Sequence, residues 1–201
     1  MRIGIFGGTF DPPHTGHLVL AADALEQLRL DHLLWVLTPV PPHKQGLSIS
    51  PTAMRLGLVQ AAIEGDPRFQ LSRVELDRPG PHFAVDTVRL LQEENPKAEL
   101  FYLLGGDSLR DLPLWYRPQK FVGQITGLGV MRRPGARIDL KKLEIQLPGI
   151  NQKVHFFETP LMEISSSEIR LRSAAGRPFR YFLPPIVYEL ICKHRYYQKS
   201  G

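Results

Sequence analysis

The chain of 201 residues carries 25 Lys and Arg against 20 Asp and Glu, and 43% of it is apolar. That is room for one domain with a full core and too little for two, and neither figure suits a disordered chain. Its one cysteine, Cys192, excludes an internal disulfide, and within the apolar run IVYELIC it reads as a small buried hydrophobe. No secretory leader is recognisable in MRIGIFGG, and no apolar stretch reaches the ~20 residues that span a bilayer, so a soluble, cytoplasmic protein is expected.

Charge is unevenly placed: residues 1–100 hold 9 basic and 12 acidic side chains, residues 101–201 hold 16 and 8. A basic half suits nucleic acid or a phosphorylated small molecule. No block of like charges and no aromatic–basic ladder occurs, which disfavours nucleic acid.

In chain order, Arg2–Phe6 reads as a buried strand delivered into a Gly7-Gly8 turn, and His17–Leu30 as a helix with apolar residues at helical spacing. His32–Thr38 is a second strand closed by the prolines of 39–42. Ser50 then reads as an N-cap with Pro51 at the first position of a helix to about Glu64. Phe69–Leu71 is a weak strand, Val85–Glu94 a helix, and Glu99–Leu104 a strong strand running into Gly105-Gly106. Ile125–Met131 and Lys153–Phe157 are further strands flanking a helical Ile138–Leu147. Ser166–Ala175, stopped by Gly176, and Pro184–His194 are the last helices. Unbroken alternation predicts one domain, 1–201, built on a doubly wound, mostly parallel sheet with helices on both faces, its C-terminal helical segment starting near residue 166. Ligands in such sheets bind at the carboxyl ends of the strands, where both glycine pairs lie.

The segment Gly7-Gly8-Thr9-Phe10-Asp11-Pro12-Pro13-His14-Thr15-Gly16-His17 is not the G-x-G-x-x-G dinucleotide fingerprint, which disfavours hydride transfer. Two histidines three apart at a helix start can instead place imidazole N–H groups beside the helix's own free N–H groups, where phosphate oxygens bind. No partner at metal-ligand spacing follows, so no protein metal site is expected.

This string resembles the HxGH-bearing nucleotidylyltransferases. Ile164-Ser165-Ser166-Ser167-Glu168-Ile169-Arg170 is similar to the family's I-S-S-T-x-I-R segment; alone it would be an N-cap box with a surface arginine. Pro41-Pro42-His43-Lys44 resembles a substrate loop, and Gly105-Gly106-Asp107-Ser108-Leu109 with Trp115-Tyr116 resembles G-x-D-S-L…W-Y. Together the motifs look like those of bacterial nicotinate-nucleotide adenylyltransferases over nearly the whole chain. One departure stands out: His82-Phe83-Ala84 replaces the usual S-Y-T, with Thr87 retained.

The resemblance implies a Rossmann-like fold and transfer of AMP from ATP to nicotinate mononucleotide, without a covalent intermediate. It implies His14, His17, Lys44 and Arg170 as catalytic residues. ATP would meet Gly7, Gly8, Thr9, Phe10, His14, His17, Gly105, Asp107, Ile164, Ser165, Ser166, Ser167 and Arg170. Nicotinate mononucleotide would meet Thr9, Lys44, Phe83, Ala84, Val85, Thr87, Trp115, Tyr116 and Arg133. Mg²⁺ would enter with ATP. The implied partners are the two nucleotides, neither nucleic acid nor membrane, with a homo-oligomer left open. Pantetheine-phosphate adenylyltransferases lack the D-S-L…W-Y segment, alcohol-phosphate cytidylyltransferases end in a different serine/threonine segment, and a tRNA synthetase would need an anticodon domain.

Overall fold

Six strands, β1 (Arg2–Gly8), β2 (His32–Leu37), β3 (Phe69–Ser72), β4 (Glu99–Gly105), β5 (Gly127–Met131) and β6 (Val154–Phe157), form one sheet in the order β3-β2-β1-β4-β5-β6. Every pairing is parallel, and the order is that of the doubly wound dinucleotide-binding folds. The computed structural model describes residues 1–40, 49–132 and 138–198; Lys44, with the rest of Pro41-Pro42-His43-Lys44, and Arg133 lie outside them. Among the described residues no helix is long and apolar enough to cross a membrane.

Helices cover both faces, as the alternation predicts. On one face α1 (Thr15–Gln27) and α2 (Thr52–Ile63) pack Ala21, Ala24, Leu25, Val59 and Ile63 against Phe6, Leu33, Trp35 and Leu37. On the other, α3 (Ala84–Glu94), α4 (Gly106–Asp111), α5 (Pro118–Gln124) and α6 (Leu140–Gln146) bury Val85, Val88, Leu91, Leu109, Phe121 and Leu143 over Ile3, Ile5, Leu100 and Leu128. A third cluster joins α2 to α7 (Ser166–Ala174) and α8 (Pro185–Lys193) through Leu58, Ile169, Val187 and Ile191.

Several sequence expectations are corrected. Neither glycine pair is a turn: Gly7 and Gly8 remain in β1, opposite Val36 and Leu37, while Gly105 ends β4 and Gly106 begins α4. The first helix starts at Thr15, two residues early, with His14 as its N-cap. Pro51, not Ser50, caps α2, because the Ser50 backbone is held by other partners. Helix α5 is absent from the sequence reading; it fills the stretch before β5 and delays that strand from Ile125 to Gly127. Cys192 is exposed, since the buried stripe of α8 is Val187 and Ile191 and the next residue turns about 100° away from it.

The sheet opens where the site lies. β1 pairs with β2 through Gly8 but with β4 only through Ile5, so β1 and β4 part at their carboxyl ends. What fixes the chain beside that opening is Arg55 of α2, only 1% exposed. Its Nη1 donates to the carbonyls of Thr9 (2.8 Å) and Thr38 (2.9 Å), Nη2 to Pro39 (2.7 Å) and the Thr52 hydroxyl (3.3 Å), and Nε to Ser50 (2.9 Å). One guanidinium thereby ties the loops after β1 and β2 to the start of α2.

Removing those donors strands several buried carbonyls. Arg55→Met, which keeps the apolar stem volume, should lose about 3–5 kcal/mol in urea denaturation. Arg55→Lys should lose most of that, because one ammonium cannot span the fork. A loss under about 1 kcal/mol in Arg55→Met would show that water takes over the carbonyls.

Candidate active site

The β1–α1 connection folds back under its own strand. Phe10 takes a left-handed backbone (φ 45°) and turns its ring beneath Gly8, where any Cβ would lie 2.7 Å from it. The ring is 3% exposed and packs edge-on against Phe6 (5.3 Å) and His17 (5.2 Å). Phe10 borders the cavity, yet its ring serves as the floor for His17.

Spacing places His14 at the N-cap of α1 and His17 at its third position. The two rings stack, centroids 3.6 Å apart and 24° from parallel. The His14 backbone N–H donates to His17 Nδ1 at 3.1 Å, so the neutral His17 ring carries its proton on Nε2. A Cβ at Gly16 between them would sit 3.2 Å from His14 Nδ1, so the imidazole would have to give by a few tenths of an ångström. That Nδ1 is buried with no hydrogen-bond partner among the described residues.

Burial lowers the His14 pKa to about 4. Burial, and then the neighbouring His14, takes His17 well below its usual range. Both are therefore neutral N–H donors at pH 7.

Across the cavity stands the N-terminus of α7. Ser165 caps it by accepting from the Glu168 N–H (3.2 Å), Ser166 Oγ donates to the Pro12 carbonyl (2.8 Å), and Arg170 Nη2 donates to Ser167 Oγ (3.3 Å). Arg170 Nη1 donates to the Asp11 carbonyl at 2.7 Å. The cavity between the two helix starts is about 1010 Å³, and its walls include Thr9, Phe10, His14, His17, Ile164, Ser165, Ser166, Ser167 and Arg170. Two helix N-termini, paired imidazole donors and a guanidinium around one space have the chemistry to receive a polyanion. Asp11, which lies within the first motif without a role implied for it, also lines the cavity, as do Arg132 and the 159–163 segment, which no motif covers. Arg132 lies over the Phe156 ring at 4.8 Å.

The remaining expected residues divide. Gly7, Gly8 and Gly105 stand at the carboxyl ends of β1 and β4, whereas Asp107 is exposed and pairs with Arg110 at 3.2 Å. Phe83, Ala84, Val85 and Thr87 stand at the start of α3, and Trp115 and Tyr116 follow the 3-10 turn Leu112–Leu114 after α4. Phe83 and Tyr116 stack at 4.2 Å with the Arg117 guanidinium 5.0 Å over Tyr116, and Trp115 leans on Phe121 and Tyr102. The side chains of Val85 and Thr87 point into the protein, 3% and 1% exposed. The Thr87 hydroxyl donates to the buried Glu75 carboxylate at 2.6 Å. Burial raises the Glu75 pKa, opposed by its hydrogen bonds to Thr87 and Thr38 and by Arg78. Neither Arg55 nor Glu75 carried a sequence signal: a lone charged residue in a helix or loop looks solvated. Among the described residues no cluster of three or more His, Cys, Asp and Glu could hold a metal ion.

The histidine pair makes a pH prediction. His14 is protonated near 6.5 when unfolded and near 4 when folded, so between those values the unfolded state binds more protons. Stability should be unpenalised above about 6.5 and fall as pH drops toward 4. Histidine ¹⁵N shifts should show His14 titrating near 4, and pyrophosphate should raise that midpoint. A free-protein midpoint near 6.5 would remove the neutral-donor argument.

Comparison with known proteins agrees with this geometry. Residues 5–172 match the cytidylyltransferase-like family model. A Thermomicrobium roseum protein named as a probable nicotinate-nucleotide adenylyltransferase is 44% identical over 197 residues, 98% of this chain and 92% of that one. A Thermus thermophilus protein of the same name is 41% identical over 98% of this chain and its own full length. In fold, the chain is similar to Plasmodium falciparum nicotinic acid mononucleotide adenylyltransferase complexed with NaAD: TM-score 0.79, 20% identity, covering 98% of this chain and 97% of that one. The chain belongs to the nicotinate-nucleotide adenylyltransferases, within the cytidylyltransferase-like family.

Proposed function

We propose that residues 1–201 act as one nucleotidylyltransferase unit that transfers AMP from ATP to nicotinate mononucleotide, giving deamido-NAD and pyrophosphate in the cytoplasm. The observation that carries this reading is the cavity walled by the stacked His14–His17 pair and the Ser165–Arg170 helix start. The names of the relatives supply the acceptor.

An acceptor phosphate oxygen attacks the α-phosphorus of ATP, and the bond from that phosphorus to the α–β bridging oxygen breaks, its electron pair leaving with pyrophosphate. The attacking group is already an anion, so no base or covalent nucleophile is needed, and catalysis is positioning and charge stabilisation. His17 Nε2–H and the ring N–H of His14 donate to phosphate oxygens as charge moves onto them. Arg170 and Lys44 hold the charged oxygens. Gly7, Gly8, Thr9 and Phe10 bring backbone to the α-phosphate, Ile164 to Ser167 the α7 start to the triphosphate, and Gly105 and Asp107 meet the ATP ribose. Nucleotidyltransferases of this family generally work with a divalent metal ion. The imidazole, hydroxyl and guanidinium walls fit Mg²⁺ held through ATP and water rather than through the protein. Bound there, it would neutralise phosphate charge.

The mononucleotide's ring would lie among Phe83, Trp115 and Tyr116, its carboxylate on the backbone N–H groups around Ala84 and Val85 at the start of α3, where helix geometry leaves donors unused. Thr87 holds that turn from below, and Arg133 with Lys44 and Thr9 would meet the phosphate.

A pyrophosphate-release assay with ATP, both pyridine mononucleotides, phosphopantetheine and glycerol phosphate tests the reading. The acid should be preferred over the amide by ~10²-fold or more in kcat/KM, because an amide sets donors against donors. A ratio near one would mean a dual-specific enzyme, and turnover with phosphopantetheine alone would sink the acceptor assignment. His17→Ala should lower kcat by ~10²-fold with folding retained; unchanged kcat would demote the pair to a structural turn.

A further inference from the structure

We propose that Tyr197, 186 residues from Asp11 in the chain, is a positioning residue for Arg170 that acts through Asp11. The proposal rests on Arg170 meeting the ATP phosphates, as argued above.

Asp11 is 5% exposed, and both of its carboxylate oxygens are engaged. Oδ1 accepts the Tyr197 hydroxyl at 2.9 Å, and Oδ2 accepts the Ser50 N–H at 3.2 Å. Arg170 reaches the same residue, yet its Nη1 donates to the Asp11 backbone carbonyl at 2.7 Å and stays 4.0 Å from Oδ2. A guanidinium beside a buried carboxylate ordinarily closes on it in a two-pronged ion pair at about 2.7–2.9 Å. Closure here would neutralise the fork and draw it off the cavity wall. The Tyr197 and Ser50 donors already satisfy the carboxylate, which removes the reward for closure.

The tail is built to hold that hydroxyl in place. Tyr197 has a left-handed backbone (φ 64°). The carbonyl of Tyr196 accepts from Ser173 Oγ at 3.0 Å, and Ser173 lies on α7, the helix that carries Arg170. Tyr196 and Tyr197 pack on the cluster of Ile169, Leu183 and Val187. Burial and the Asp11 carboxylate push the Tyr197 pKa up, so the group stays a donor throughout the working pH range. A bare apolar anchor would need no hydroxyl aimed at a buried carboxylate.

The test is calorimetric binding of Mg-ATP without acceptor, so that the acceptor's identity has no bearing on it. Tyr197→Phe should weaken ATP by about tenfold and leave the mononucleotide KM within about twofold. Arg170→Lys should also weaken ATP, and the double variant should bind no worse than Arg170→Lys alone, because both changes disable one fork. If Tyr197→Phe melts below the assay temperature, Ser173→Ala carries the test: it releases the Tyr196 carbonyl that anchors the tail and should weaken ATP severalfold. Wild-type affinity in Tyr197→Phe (or, where that variant is unfolded, in Ser173→Ala), or multiplying losses in the double variant, overturns the inference. If Arg170→Lys itself leaves ATP affinity unchanged, the fault lies with the phosphate role of Arg170 and the proposal falls with it.

Discussion

The buried guanidinium of Arg55 sets the geometry on which the site depends. Carbonyls of Thr9, Thr38, Pro39 and Ser50 converge at the carboxyl ends of β1 and β2, and converging carbonyl dipoles repel unless a donor stands between them. A neutral donor pair would satisfy two of them; a guanidinium presents five N–H groups in a rigid fork. Burying that charge is unfavourable, and burial does lower the Arg55 pKa, with Asp11 and Tyr197 acting in the opposite direction. The arrangement passes order outward. Arg55 fixes Thr9, the next residue Phe10 turns back under Gly8, and its ring supports His17. A residue outside the cavity wall thus governs the aim of an imidazole within it.

Charge and hydrogen bonding are divided among different groups. His14 is buried, His17 partly so, and both are neutral, so they can be oriented by packing and by the bond from the His14 backbone N–H to His17 Nδ1 without two cations stacked at 3.6 Å. Full positive charge sits instead on Arg170 and Arg132, which border the cavity. On the proposed reading, neutral donors of fixed orientation would need little reorganisation as charge shifts between phosphate oxygens, and cations at the rim would attract the polyanion.

Much of this was legible in the sequence because it is local. The alternation of apolar runs and amphipathic segments located all six strands, and the H-x-x-H and S-S-S-x-I-R spacings placed their groups on helix starts that prove to share one cavity. Long-range contacts left no such mark. Arg55 sits among α2 residues whose spacing shows only a helix, and the Asp11–Tyr197 bond joins the two ends of the chain. The glycine pairs misled for a physical reason: they suggest turns, but Gly8 is small to admit the Phe10 ring beneath a continuing strand. Cys192 misled because an apolar run in a short helix need not be buried all round.

The same distinction between local and long-range support bears on the replaced S-Y-T segment. Phe83 is the extended N-cap of α3 (φ −89°, ψ 139°) and its side chain makes no capping bond, so the donors at this helix start belong to the backbone. What holds that backbone is below it: Thr87 Oγ donates to Glu75 at 2.6 Å and lies 3.2 Å from the Phe83 carbonyl, while Arg78 reaches both Thr87 and the Pro81 carbonyl. The side chains of Phe83 and Ala84 take no part in these bonds, whereas the buried His82 lies within the field of Arg78. Stacking of Phe83 on Tyr116 needs only a ring, and Phe83 supplies one without the tyrosine hydroxyl. If the proposed mononucleotide site is here, recognition by main-chain donors with their footing in a buried carboxylate would tolerate side-chain drift that a pocket of side-chain donors would not.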